Sequence, residues 1–482
     1  MTRPTVSLAE AWRPDALRRL ADGWEEAARR LKAHVDTVTV DTGAIWKGAA
    51  AEAARDRADE VAACGDAAAR ALVTASVAAR DGADQITTAC ADVLSRVDDA
   101  RADGFAVNDD GTVSVRAGPP PLLVALSGGD PAAATDMLRV RAAELSRQIN
   151  DGLDRLGDAD ADAANDIAEA FSLSPSAELS RQVGNSDGVP WDRRVAANRI
   201  NIAQALIETE DPERTAFYRS LLGEVDDPAG SGQRVDRQIL AFDPDRAVLV
   251  ELNGNLSTAS SVAVLIPGLN TTIMGSAATT EMAKRFVSAT HGDVAAITYL
   301  GGAFPQGSNL ASALAAAADP RYALDIAPRL VAFSEDVDQT VDGTGRSIPV
   351  TYIGHSYGGS ILGTAEALGM TADRTLYVAA AGAGVGVDDP GDWHNRNPDL
   401  LRFSMTAPGD FIEAVQGFPG GPHGADPDEM PGIIRLATGD YDDGWPVMGP
   451  RAHSDVLNRP SDAWRHILAV ITGDSQTLHQ AG

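Results

Sequence analysis

The stretch Thr351-Tyr-Ile-Gly-His-Ser-Tyr-Gly-Gly359 decides how the rest of the chain is read. It closes an apolar run, Ile348 to Ile353, and leads into a segment of helical composition, Ser360 to Leu368. Within it, Gly354-His355-Ser356-Tyr357-Gly358 has the form G-x-S-x-G between a strand and a helix. A strand that turns at once into a helix presses the positions flanking the turn against neighbouring backbone. Gly354 and Gly358 carry no Cβ to collide there, and the serine between them is held in strained geometry with its hydroxyl off the sheet. Ser356 is therefore the candidate nucleophile. The alternative is a tight strand-to-helix turn with an ordinary serine.

Working outward, short apolar runs alternate with helical segments from Gln238 onward. Ile239–Phe242 and Ala247–Leu252 flank the turn Asp243-Pro-Asp-Arg246. Val262–Ile266, Val294–Tyr299, Ile348–Ile353, Thr375–Ala379, Leu401–Thr406 and Ile433–Thr438 follow. Helical patterns fall at Ala277–Ser288, Leu310–Val337 and after Ser356. Two antiparallel strands followed by βα units predict the α/β-hydrolase sheet: mostly parallel, with helices on both faces.

A serine hydroxyl is a poor nucleophile alone and needs an imidazole base oriented by a carboxylate. In this fold the chain order is Ser, acid, His. Counting runs makes Ile348–Ile353 the fifth, so the acid follows the seventh, Leu401–Thr406, in Ala407-Pro-Gly-Asp410. Asp410 is the leading acid, with Asp388, Asp389 and Asp426 as rivals. The base is expected after the last strand, where His453 lies in Arg451-Ala-His-Ser-Asp455. His423, in Gly421-Pro-His-Gly424, is its rival or a lining residue. His355 sits inside the elbow and is expected to point elsewhere; His394 precedes the acid; His466 and His479 are expected at the surface. An oxyanion hole requires two N–H donors. Tyr357 offers one, and Leu269 offers the other because Gly268 permits close approach in Pro267-Gly268-Leu269-Asn270; Asn270 is second choice.

The 482 residues suffice for two or more domains. A net charge of −29 argues against nucleic acid or an anionic membrane as partner. The N-terminus has no apolar core of a signal peptide, and no apolar run approaches the roughly 18–20 residues of a spanning helix. The protein is thus expected in the cytoplasm, or exported without a classical signal peptide. Cys64 and Cys90 fall in one helical stretch about 39 Å apart if it is continuous, so both are read as buried thiols. No His/Cys cluster has metal spacing, and neither metal nor organic cofactor is expected.

The N-terminal region is helical. Trp12, Leu17, Leu20, Trp24, Ala27 and Leu31 mark one face of a helix over Ala9–His34. Val35–Ala44 breaks the pattern, Ile45-Trp46-Lys47-Gly48 forms a turn, and an Ala-rich helix runs to about Arg101. This hairpin, with Trp46-x-Gly48 at its turn, resembles the WXG-type proteins of type VII secretion, although no Tyr-x-x-x-Asp/Glu follows its second helix. The resemblance implies docking of a protein partner or self-association through the hairpin. Phe105–Val124 reads as a small hairpin or linker, and Asp130–Phe171, Pro190–Glu208 and Thr215–Leu222 as helices. The expected domains are 1–105, a helical hairpin; 106–185, a linker plus helix; and 186–482, the catalytic domain.

The motifs Gln238-Ile-Leu-Ala-Phe-Asp-Pro244, Val264-Leu-Ile-Pro-Gly-Leu-Asn-Thr-Thr272, Tyr352-Ile-Gly-His-Ser-Tyr-Gly-Gly359, Ala407-Pro-Gly-Asp410 and Arg451-Ala-His-Ser-Asp455 resemble, in order and spacing, an actinobacterial α/β-hydrolase family long catalogued as a domain of unknown function. The resemblance implies the fold and the Ser356, Asp410, His453 assignment, and no substrate. The expected function is a carboxylesterase- or lipase-like serine hydrolase acting on a small-molecule or lipid ester. The competing readings are a type VII-associated effector and a binding protein on an inactive hydrolase scaffold.

Overall fold

The computed structural model describes residues 3–41, 47–171, 177–416 and 421–480. Trp46, on which the predicted hairpin turn depends, lies outside them. The chain divides into two compact units, one comprising Met1–Ser176 and Ala203–Glu210, the other Ala177–Ile202 and Asp211–Gly482.

The first unit contains α1 (Val6–Ala11), α2 (Asp15–Asp41), α3 (Ala49–Ala102), a two-stranded hairpin of β1 (Phe105–Val107) and β2 (Val113–Val115), α4 (Pro121–Leu126) and α5 (Pro131–Ala170). Ile86, Val93 and Val97 of α3 bury against Ile149, Leu153 and Leu156 of α5, with Phe105 from β1. The single helix predicted over Ala9–His34 is two: Trp12 is extended at the end of α1, and Pro14, without an N–H, cannot continue it. The predicted break after His34 is absent, because α2 runs on to Asp41 with Val35 buried. Packing against a neighbour outweighs the weak helix propensity of a Thr/Val run.

Helix α3 is continuous through both cysteines. Cys90 is buried, with its thiol 3.7 Å from the Ala9 carbonyl, whereas Cys64 is exposed, contrary to expectation, because it faces away from the packed stripe. Among the described residues α3 is also the one helix long and apolar enough to cross a membrane by length and composition. Alanine supplies that hydropathy within a stretch interrupted by charges, so a search for unbroken apolar runs passes it by. The side chains of Val73, Val77, Val93 and Val97 are buried.

The second unit begins with α6 (Ala177–Gly184), α7 (Trp191–Glu208, whose last turns group with the first unit), α8 (Pro212–Leu222) and a small hairpin, β3 (Glu224–Asp226) and β4 (Arg234–Asp236). The eight predicted apolar runs then form one sheet: β5 (Gln238–Asp243), β6 (Val248–Asn253), β7 (Ser261–Ile266), β8 (Val294–Gly301), β9 (Val350–His355), β10 (Arg374–Val378), β11 (Leu401–Met405) and β12 (Ile434–Arg435). The spatial order is β12-β11-β10-β9-β7-β8-β6-β5. β5 is antiparallel to β6 and β6 to β8, and every other pairing is parallel.

Between and after these strands come α9 (Ala277–Ala289), α10 (Leu310–Ala317), α11 (Arg321–Gly343), α12 (Tyr357–Ala367), α13 (Ala452–Asn458) and α14 (Asp462–Thr472). Central strands buried at every position, such as β7 and β8, explain why their sequences are unbroken apolar runs rather than alternating ones. The segment Leu310–Val337, predicted as one helix, breaks at Ala318-Asp319-Pro320, and the second helix continues to Gly343. The last strand is only two residues long, because just Phe403 and Ser404 of β11 pair with it.

The edge strand β5 is covered by side chains rather than by another strand. Asn185 accepts from Phe242 N–H and donates to its carbonyl, Arg194 donates to Leu240 O, and Asn198 to Ile239 O. Arg194 is itself buried and paired with Asp336 at 2.7 Å, and Trp191 Nε1–H donates to the same carboxylate. These contacts reach back to Asn185, which directly follows α6, ahead of the boundary at 186 read from the sequence.

Candidate active site

The parallel strands end on one side of the sheet, where loops after successive strands meet. Ser356 follows β9, with φ 56° and ψ −121°. That region is sparsely populated for a residue with a Cβ and costs on the order of 1–3 kcal/mol. Hydrogen bonds hold the strain: Ser356 N–H donates to Val378 O at 3.0 Å, and Ala381 N–H donates to Ser356 O at 2.9 Å. The glycines of the motif do what the sequence required of them. A Cβ on Gly358 would lie 2.2 Å from Ile266 O and 2.5 Å from Pro267 O, and one on Gly354 2.7 Å from Gly358 O.

Asp410 ends the loop after β11 and is buried. Its carboxylate accepts Ile412 N–H at 3.0 Å, capping the short 3-10 turn Phe411–Ala414. It also accepts His453 Nδ1–H, at 3.0 Å to Oδ2 and 3.1 Å to Oδ1. His453 lies in the first turn of α13, and its ring packs 4.4 Å from that of Phe411. Ser356 and His453 line one cavity of about 630 Å³, together with Gly268, Leu269, Tyr357 and His423. The fold therefore brings together Ser356, Asp410 and His453, from three segments spread over nearly a hundred residues of sequence.

The rivals lie elsewhere. Asp389 caps a surface turn by accepting Gly391 N–H, and Asp388 is exposed beside it. Asp426 accepts Asp428 N–H, and burial pushes its carboxyl up. His423 lines the cavity, with both ring nitrogens engaged: Nε2–H donates to Ala317 O at 2.5 Å, and Nδ1 accepts from Ser360 Oγ at 2.8 Å. Burial holds its imidazole below the usual range.

His466, expected at the surface, is buried and bonds to Ala437 O, because its helix packs on the sheet. His355, expected to point elsewhere, reaches the carbonyl of His453, with Nε2 at 2.7 Å. Burial, assisted by the nearby His453, pushes the His355 imidazole down to about 4.

The loop after β7 lies against the elbow. A Cβ on Gly268 would be 2.7 Å from Ser356 Cβ and 3.1 Å from Oγ. The Asn270 N–H donates to Pro305 O at 2.9 Å and is engaged there, which leaves Leu269 as the candidate donor of this loop. Tyr357 opens α12, so its N–H belongs to a helix N-terminus. Its phenol bonds away from the cavity, donating to Asp319 O and accepting from Ala323 N–H, which pins the α10–α11 junction beside the elbow.

The cavity wall is apolar: Leu269, Met282, Ala313, Phe411, Val415 and Leu457 contribute to it. Among the described residues no Asp, Glu, Lys or Arg side chain lines it, in a chain of net charge −29. No cluster of metal-binding side chains occurs among the described residues either. Sequence reasoning missed the His355 contact, the Arg402–Glu366 ion pair behind the elbow helix, and the engagement of His423. Glu366 is fully buried; burial raises its carboxyl, and Arg402, which also stacks 4.8 Å from the Trp393 ring, opposes that shift.

Residues 243–419 match the model of a family described as Alpha/beta hydrolase. The match includes Ser356 and Asp410 and ends before His423 and His453. With the mixed eight-stranded sheet and its flanking helices, it defines the fold class: this part of the chain has the α/β-hydrolase fold, preceded by a long helical region. No curated protein matches the chain. Among solved structures the chain is similar to TT1662 from Thermus thermophilus, at 14% identity over 48% of this chain and 99% of that one. The TM-score is 0.22, too low to bear on the fold.

Proposed function

We propose that the protein is a serine hydrolase that cleaves esters of uncharged, apolar acyl groups through an acyl-enzyme. One observation carries the reading: the strained Ser356 shares a cavity with an imidazole whose far nitrogen is bonded to a buried carboxylate. His453 Nε2 takes the Ser356 proton as Oγ bonds to the acyl carbon. The resulting oxyanion receives the Tyr357 and Leu269 N–H groups, and the dipole of α12 favours the negative charge. The carbon–oxygen bond to the leaving alcohol then breaks, and the alcohol departs with the proton from His453. Water adds to the acyl carbon, giving its proton to His453; the bond from that carbon to Ser356 Oγ then breaks, Oγ takes the proton back from His453, and the carboxylic acid leaves. Asp410 keeps the imidazole in the Nδ1–H tautomer and balances its transient charge.

The acyl preference rests on the wall. A charged acyl group would lose its hydration there and meet no opposite charge, which costs several kcal/mol. The volume lies within the range of small-molecule sites, about 300–1,000 Å³. The test is labelling with a fluorophosphonate probe, together with hydrolysis of p-nitrophenyl esters that differ in chain length or carry a terminal carboxylate. Wild-type protein should label and should prefer the neutral esters, and Ser356→Ala should do neither. Labelling that persists in Ser356→Ala, at Ser360 for example, would show that the nucleophile is misassigned.

A further inference from the structure

The residue before the nucleophile has a role that the triad does not use. We propose that His355 is a positioning residue, tying the elbow that carries Ser356 to the backbone of His453 through its Nε2–H and thereby fixing the base relative to the nucleophile. This rests on the reading of Ser356 and His453 as nucleophile and base.

Three observations carry it. His355 Nε2 lies 2.7 Å from the His453 carbonyl oxygen, a distance for a full hydrogen bond, and a carbonyl can accept only if that nitrogen bears the proton. The two rings lie 5.0 Å apart at 43°, so the imidazoles are neighbours and not merely linked at one atom. Asp410 bonds the His453 ring at Nδ1 and Phe411 packs on its face, so His355 adds a contact to the backbone of a residue whose ring is already fixed. Helix α13 is seven residues long and packs Ala452, Val456 and Leu457 into the core, and the His355 bond references the start of that packed helix to the elbow.

The logic is geometric. Ser356 is immobilised by its own backbone bonds to Val378 and Ala381. His453 arrives on the first turn of α13, 98 residues after His355 in the chain. A hydrogen bond from the residue adjacent to Ser356 references the base to the same turn that holds the nucleophile. Proton transfer between the two is sensitive to misplacement by about 1 Å, which costs on the order of a hundredfold. Burial also keeps His355 neutral near neutral pH, so its ring carries one N–H, which the contact with a carbonyl oxygen assigns to Nε2.

The test uses the full chain with His355→Leu, which keeps bulk but removes the donor, and His355→Gln. The glutamine amide nitrogen is as many bonds from Cβ as imidazole Nε2, and so can donate to the same carbonyl. Rates are expressed per active site titrated with a fluorophosphonate, so that misfolded protein is not counted. His355→Leu should lower kcat by tenfold or more with KM within about twofold, and His355→Gln should recover most of the loss. Wild-type kcat per titrated site in His355→Leu, or equal losses in both variants, would overturn the proposal.

A second measurement needs no variant. Long-range nitrogen–proton correlation of histidine-labelled wild-type protein should give His355 the Nε2–H tautomer near neutral pH. An Nδ1–H tautomer leaves no proton to donate to His453 and would also overturn the proposal. Loss of labelling in wild-type protein would instead remove the serine-hydrolase reading itself, so the two failures are distinguishable.

Discussion

Replacing Gly268 with alanine should silence the site while leaving the fold in place. The added methyl would sit 2.7 Å from Ser356 Cβ, 3.1 Å from its Oγ and 3.1 Å from His355 O. Carbon atoms in contact prefer about 3.5–4.0 Å, so one side has to yield by roughly 1 Å. Ser356 cannot retreat, because its N–H and C=O are bonded to Val378 at the end of β10 and to Ala381 in the loop after it, and because Gly358 already packs against Ile266 O and Pro267 O. The loop carrying Leu269 must therefore move outward, withdrawing one N–H from where the oxyanion forms.

Loss of one such donor costs about 10²–10³ in kcat, or about 2.7–4 kcal/mol. The overpacking itself should cost about 1–3 kcal/mol of stability, which a domain of this size tolerates. The assay is kcat on a neutral p-nitrophenyl ester, read beside a urea titration of the same sample. A cooperative transition with kcat down a hundredfold or more fits the reasoning. Undiminished kcat would show that the loop after β7 does not supply the oxyanion donor.

Asp410→Asn should lower kcat by about 10⁴, because the amide can hold the wrong imidazole tautomer. Asparagine can still cap the turn at Ile412, so the urea midpoint should hardly change; an active Asp410→Asn, or an equal loss in Asp388→Ala, would assign the acid elsewhere. Glu366→Ala should destabilise by about 3–5 kcal/mol in urea unfolding, because it leaves Arg402 without its buried partner; a change under about 1 kcal/mol would mean that the pair is solvated. His355 should also make stability depend on pH. The folded protein holds it neutral down to about 4, whereas the unfolded chain protonates it near 6.5. The stability it contributes is therefore complete above 6.5 and is lost as pH falls toward 4, by about 3 kcal/mol. His355→Gln should lose less stability than wild type between pH 7 and pH 4.5, and parallel losses would place the acid sensitivity in other groups.

Much of the catalytic half was legible because buried parallel strands write themselves as unbroken Val, Ile and Leu runs. All eight runs became strands, and their count placed Asp410 after β11. Proline and packing account for most departures. Pro14 and Pro320 mark breaks that an apolar period runs straight through, and Val35 stays helical because a partner helix covers it. Side-chain direction was the part that could not be read. The contact between His355 and His453, the two bonds of His423 and the pairing of Glu366 with Arg402 each join residues far apart in sequence, and no local pattern distinguishes them from surface groups. The motif glycines were readable for the opposite reason, since each answers a clash created within a few residues or by the adjoining strand.

The polar fringe along β5 carries a consequence for anyone trimming this chain. Asn185, Arg194 and Asn198 occupy main-chain groups that would otherwise template pairing with another molecule, so these side chains stand in for a missing ninth strand. A fragment that starts at 186 would retain the elbow and its cavity, yet would leave Phe242 with an open N–H and C=O on an apolar ribbon. Such a fragment should pass from monomer to dimer or to larger β-linked assemblies as its concentration rises, while one that starts ahead of α6 stays monomeric. For this fold, solubility of the catalytic half is decided at the rim farthest in the sheet from β12.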